Sequence, residues 1–158
     1  MAKKINWKKL GLCVLGCELA GASGAVFTAS SVNGWYVALN KPFYNPPSWI
    51  FGPVWTILFA LMGISFYLIL EAKNDERRKR AISLFVYQFI LNVLWSLLFF
   101  GLRQPWLAYL DIVGMWILIF LTIKSFLKLN KTAGWLLYPY LAWVSFASLL
   151  NLSVAFLN

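Results

Sequence analysis

Five stretches of the chain are apolar for long enough to cross a lipid bilayer, and that feature restricts the folds open to it more than any other. A hydrocarbon core about 30 Å thick needs about 20 helical residues, because backbone groups left unpaired in lipid are too costly to tolerate. Residues 10–27 and 106–123 form runs of 18, residues 49–70 and 81–102 runs of 22, and residues 134–157 a run of 24. The three longest carry no charge. The predicted fold class is therefore all-α: a polytopic integral membrane protein, a five-transmembrane-helix bundle forming one domain over residues 1–158. Helices are expected at about 10–30, 49–70, 81–102, 106–127 and 134–157, with a structured first loop over 31–48. The first run is read as a span and not as a cleaved signal peptide, since Glu18 interrupts its apolar core and no soluble domain follows it.

Charge then sets the orientation. Only 12% of residues are charged, about half the usual globular share, yet the net charge is +9. The basic residues lie between apolar runs and not along one helix face, which argues for topological charge and against nucleic-acid binding. Lys3, Lys4, Lys8, Lys9, Lys73, Arg77, Arg78, Lys79, Arg80, Lys124, Lys128 and Lys131 fall on one side of the membrane, and only Lys41 and Arg103 on the other. The positive-inside rule places the amino terminus in the cytoplasm and the first loop and carboxyl terminus outside. A bacterial cell membrane is the expected location. The chain has no histidine, which excludes proton relays, metal sites and triads built on imidazole. Cys13 and Cys17, four apart inside an apolar run, are expected to be buried inert thiols and not a disulfide or metal pair.

The first loop is unlike a passive linker. Pro42, Pro46 and Pro47 stiffen it, and Trp35, Tyr36, Phe43 and Tyr44 offer surface to bury. It reads as a lid over the outer end of the bundle. Beneath it the second span starts with Trp49, Gly52, Pro53 and Trp55. The third span sets Gln88, Asn92, Trp95 and Phe99 on one stripe by i, i+4, i+7 spacing, and amides at membrane depth face protein, bonded to another helix or to a ligand. The fifth repeats the pattern with Tyr140, Trp143, Ala147 and Asn151, and its Pro139 is expected to bend it. The first span is rich in small residues, with Gly16, Ala20 and Gly24 at successive steps of four, a pattern compatible with packing inside the bundle and with a dimer seam. Such stripes suit a cavity for a flat apolar ligand, and a packed core would look the same. Two acids lie within spans: Asp111, near Arg103 and a candidate for an interfacial pair or a substrate contact, and Glu18, which is open to a protonated, polar-neighbour, dimer or ligand role.

These residues together resemble the translocator protein or tryptophan-rich sensory protein family, TspO/MBR. The resemblance rests on Trp35, Tyr36, Leu39, Lys41, Pro42, Pro46, Pro47 and Trp49 in the loop, then Gly52, Pro53, Val54, Trp55, Leu61, Met62 and Gly63. It continues through Gln88, Asn92, Trp95, Phe99, Phe100 and Gly101, and through Pro139, Tyr140, Trp143, Phe146, Ala147, Leu150 and Asn151, covering nearly the whole chain. It implies a five-helix bundle, commonly dimeric, that binds porphyrins such as protoporphyrin IX and haem, with sterols and benzodiazepine-type ligands recognised by some members. Carried onto this chain, it implies that Trp55 and Trp143 line the pocket and Asn92 makes a polar ligand contact. Tyr36 and Phe43 are expected to close over it, and Ala147 and Leu150 to form the wall on the fifth span. Trp95, on the stripe with Asn92, completes the expected ligand-binding set.

Departures narrow the expectation. No basic residue follows Lys131, so the sterol-associated pattern of animal members is missing, and Phe43 stands where many members have Trp. Without histidine, haem iron could be ligated only by Tyr, Met or Cys, so the macrocycle is expected to be held by packing. The function read from the sequence is a membrane binding protein or sensor for porphyrins, acting in transport, sequestration or stress regulation, with no required cofactor and porphyrin or haem as ligand. The alternative is a light- and oxygen-dependent porphyrin-degrading enzyme. A transporter proper is disfavoured by the lack of an inverted repeat and of a charged path.

Overall fold

Local caps and prolines set the helix limits in the computed structural model, which describes residues 5–73 and 75–158. Lys3 and Lys4 of the charge balance lie outside the described residues. Asn6 accepts a hydrogen bond from Lys9 N (3.1 Å) and starts α1, Trp7–Val32. After a short α2, Trp35–Ala38, within the first loop, a 3₁₀ turn at Ser48–Ile50 runs directly into α3, Phe51–Leu70. Asp75 caps α4, Glu76–Ser96, by accepting from Arg78 N (3.0 Å), and Glu76 complements the dipole of its first turn. The third span thus begins five residues before the apolar run, because a good cap and charged helix formers extend it past the lipid. It ends as a π-helical segment, Leu97–Gly101, and Arg103, in left-handed conformation with φ 55°, turns the chain into α5, Pro105–Leu129.

The fifth span departs from expectation. It is two helices, α6 at Lys131–Trp135 and α7 at Tyr138–Leu157, interrupted at Leu136 and Leu137. Pro139 does not bend a continuous helix; it occupies the first turn of α7, where its missing N–H costs nothing. Five helical segments are long and apolar enough to span a membrane, and the protein is an all-helical integral membrane protein.

Helix α1 packs on α3, α4 on α5 and α5 on α7, while α6 meets α3 at the end bearing the basic loops. Glycine makes the α1–α3 crossing tight: a Cβ on Gly63 would stand 2.5 Å from Val14 Cα and 2.9 Å from the Cys13 carbonyl oxygen. Near the basic loops the interior is filled by Met62, Ile69, Phe85, Ile119, Ile123 and Phe126, with an open groove of about 840 Å³ beside it between α1 and α4. Beneath the first loop a smaller cluster gathers Tyr36, Phe99, Phe100, Ala108 and Val154. The two clusters flank a second, more enclosed space.

Candidate ligand-binding site

That space is a cavity of about 380 Å³, within the usual range for small-ligand sites. Its walls come from α1, α3, α4, α5 and α7, and its roof from the first loop. Seven of the eight sequence candidates line it: Tyr36, Trp55, Asn92, Trp95, Trp143, Ala147 and Leu150.

The amide stripe of α4 does two jobs. Buried Tyr140 donates from its hydroxyl to Gln88 Oε1 (2.9 Å) and accepts from Asn92 Nδ2 (2.9 Å), which joins α4 to α7. This relay uses Gln88 Oε1 and Asn92 Nδ2, but Asn92 Oδ1 makes no protein hydrogen bond among the described residues, and Asn92 borders the cavity. One turn further along α4, Trp95 Nε1 donates to Asn151 Oδ1 (2.9 Å), and Asn151 Nδ2 donates to the Pro105 carbonyl (2.8 Å), tying α4, α5 and α7. The Trp143 indole N–H, in contrast, is buried and without a partner.

Aromatic planes form much of the wall. Trp55 stacks on Phe59 (centroids 5.3 Å apart) and meets Tyr140 edge-on (6.2 Å). Trp95 stacks on Phe99 at 5.1 Å, and Trp143 packs edge-on against Phe51 at 5.8 Å. Tyr36 closes the roof, packing on Phe99 and Phe100 while its hydroxyl donates to Asn45 Oδ1 (3.1 Å). Burial pushes the Tyr36 phenol up, and the Asn45 bond opposes this only in part. The loop is tied to the end of α7: Asn40 N donates to Asn158 Oδ1 (2.9 Å) and Asn158 Nδ2 to the Asn40 carbonyl (3.0 Å).

Phe43 is the candidate the structure places elsewhere. It is fully exposed and lies outside the cavity wall, against Tyr44. Asn45 N donates to the Pro42 carbonyl (3.0 Å), and the turn so formed carries Tyr44, not Phe43, back to Phe146 and Ser153 of α7. Asp111 also departs from its expected pairing. Arg103 is exposed in the α4–α5 turn, whereas Asp111 shares a face of α5 with buried Ala108 and Met115, so no ion pair joins them among the described residues. Asp111 Oδ2 is left without a hydrogen-bond partner.

Residues 13–157 match the model of the TspO/MBR family. The chain belongs to that family. It is 44% identical over 151 residues to the tryptophan-rich protein TspO of Chlorobaculum tepidum, covering 94% of this chain and 95% of that one. It is also 44% identical over 156 residues to the same-named protein of Archaeoglobus fulgidus (98% and 99% covered), and 36% identical over 136 residues to the translocator protein of Bos taurus (85% and 80%).

In this TspO/MBR chain the site extends beyond what the sequence suggested. Gly21, Ala22, Gly24, Ala25 and Thr28 give α1 a whole face of the wall, with Glu18 below them, and Ile112 and Met115 of α5 close the inner end. The Gly/Ala pattern was visible, but small residues signal close helix approach as readily as a cavity. Gly24 serves the first purpose as well, since a Cβ there would come 3.1 Å from Ser96 Oγ. Chemically, the site offers flat apolar surfaces and one amide oxygen for a ligand.

Proposed function

We propose that this TspO/MBR protein is a membrane binding protein and sensor for porphyrins, protoporphyrin IX or haem, and for similarly flat apolar molecules. Family membership supports a membrane sensor or translocator role, in keeping with relatives named translocator protein and tryptophan-rich sensory protein. The observation that carries the porphyrin reading is the cavity wall. Trp55, Trp95 and Trp143 present aromatic surface around one space, with an acceptor at Asn92. Aromatic stacking favours a flat π-system, and an amide oxygen without a protein donor favours a ligand that carries an N–H or O–H. With no histidine in the chain, packing holds the macrocycle and iron ligation is secondary.

The excess of basic residues around the α3–α4 and α5–α6 junctions supports a cytoplasmic amino terminus, with the first loop and the end of α7 outside. Ala147, half-buried in the wall, provides the test of the site: Ala147→Phe places a ring inside the cavity without removing any hydrogen bond. Protoporphyrin absorption titrations in detergent should show saturable wild-type binding and at least a tenfold weaker Kd for Ala147→Phe. Equal affinity in a folded Ala147→Phe variant would place the porphyrin somewhere else on the protein.

A further inference from the structure

Along one seam gather the most exposed of the described residues that line the cavity. Among the residues that line it, the exposed ones are Ala22 and Ala25 of α1, Gly52 and Thr56 of α3, and Ser48 in the turn leading into α3. Every lining residue of α4, α5 and α7 is buried or half-buried.

Helix packing explains the seam. Near the middle of the bundle α1 lies hard against α3, where Gly63 meets the Val14 backbone and Gly21 meets the Phe59 ring. Further out, α1 leans on α4 instead: Gly24 faces Ser96, the Ser31 hydroxyl donates to the Phe100 carbonyl (2.7 Å), and a Cβ on Gly101 would stand 3.4 Å from the Phe27 ring. The outer end of α3 is correspondingly open: a Cβ on Gly52 would meet nothing within 4 Å, and the exposed lining residues of α1 and α3 fall along the opening where the two helices part. Its edges are small and suited to lipid. The Thr56 hydroxyl is already spent on the Gly52 carbonyl (3.1 Å), so that side chain presents its methyl group without an unmatched donor. The route from water is closed by comparison, with Tyr36 bonded to Asn45 and Asn40 doubly bonded to Asn158.

We infer that a ligand reaches the cavity sideways from the lipid, through a portal between the outer halves of α1 and α3, while the first loop stays shut. The inference rests on the porphyrin-binding reading of the cavity and adds its route. A flat molecule that partitions into the bilayer passes between two helices with small residues at their edges without breaking the roof.

Stopped-flow tryptophan quenching in nanodiscs, with protoporphyrin IX delivered through the lipid, measures the route. In Ala25→Phe and the milder Ala22→Leu, which narrow the portal, association and dissociation should both slow, at least fivefold for the larger side chain, with a smaller change in their ratio. Asn158→Ala, which removes the paired Asn40–Asn158 bonds between the loop and α7, should bind at the wild-type rate. If Ala25→Phe fails to fold, Ala22→Leu and Asn158→Ala still decide the matter. Wild-type rates in the portal variants, or faster exchange in Asn158→Ala, would overturn the sideways route while leaving porphyrin binding intact. Absence of saturable binding by the wild type would overturn the porphyrin reading and the route together.

Discussion

Replacing Tyr140 by Phe removes one oxygen atom at the point where α4 and α7 are joined, and the structure sets the size of the effect. The hydroxyl takes part in two bonds of 2.9 Å, and its loss leaves Asn92 Nδ2 and Gln88 Oε1 without partners. Interhelical bonds in lipid are worth about 0.6 kcal/mol on average, and a buried polar group left unmatched costs about 1–3 kcal/mol. The two amides are not equivalent, because Asn92 borders the cavity and can turn toward it, whereas Gln88 is 1% exposed and has no such outlet. The loss should therefore be about 1–3 kcal/mol, mostly from Gln88. Reversible unfolding in mixed detergent–SDS micelles, followed by circular dichroism, reads this directly. A second variant sharpens the test: with Gln88→Leu added, the unmatched oxygen disappears and at least half of the loss should return. A Tyr140→Phe change below about 0.5 kcal/mol would refute the view that this relay joins the two helices.

Three further outcomes follow from the same geometry. Gly63→Ala should destabilise by about 1–3 kcal/mol in the same unfolding assay, since the atoms it meets are Val14 and Cys13 backbone, while Gly11→Ala, with nothing within 4 Å, should be neutral or slightly stabilising. Ser31→Ala removes the buried bond to the Phe100 carbonyl and should lower stability by about 1 kcal/mol, readable in the same titration. In a Cys13→Ser, Cys17→Ser background, Phe43→Cys on the exposed loop should react with an impermeant maleimide on intact cells, and Lys128→Cys only after permeabilisation; the reverse pattern would invert the orientation.

The five spans were legible because the bilayer imposes a length and an apolar composition that few other structures require. The stripe of Gln88, Asn92, Trp95 and Phe99 was legible too, since helical spacing puts such residues on one face. What spacing could not reveal was the division of labour within it. Gln88 serves Tyr140 and Trp95 serves Asn151, so only Asn92 keeps a free oxygen, and that depends on which α7 residue stands opposite each. Phe43 and Tyr44 are neighbours of similar size, and the turn at Pro42 decides which returns to α7. The break before Tyr138 had a signal in Pro139, whose preference for a first turn competes with its reputation as a kink. The portal had none, because it arises from α1 changing partners along its length.

The central claim is that the space walled by Trp55, Asn92 and Trp143 holds a porphyrin. A dark titration of the solubilised protein with protoporphyrin IX, following tryptophan quenching and the porphyrin absorption band beside Trp143→Phe and Asn92→Ala, tests it most directly. The expected result is saturable binding near one porphyrin per chain or per dimer, weakened severalfold in both variants, as one loses indole surface and the other its free amide oxygen. Binding no tighter than to empty micelles, or tight binding unchanged in both variants, would contradict it.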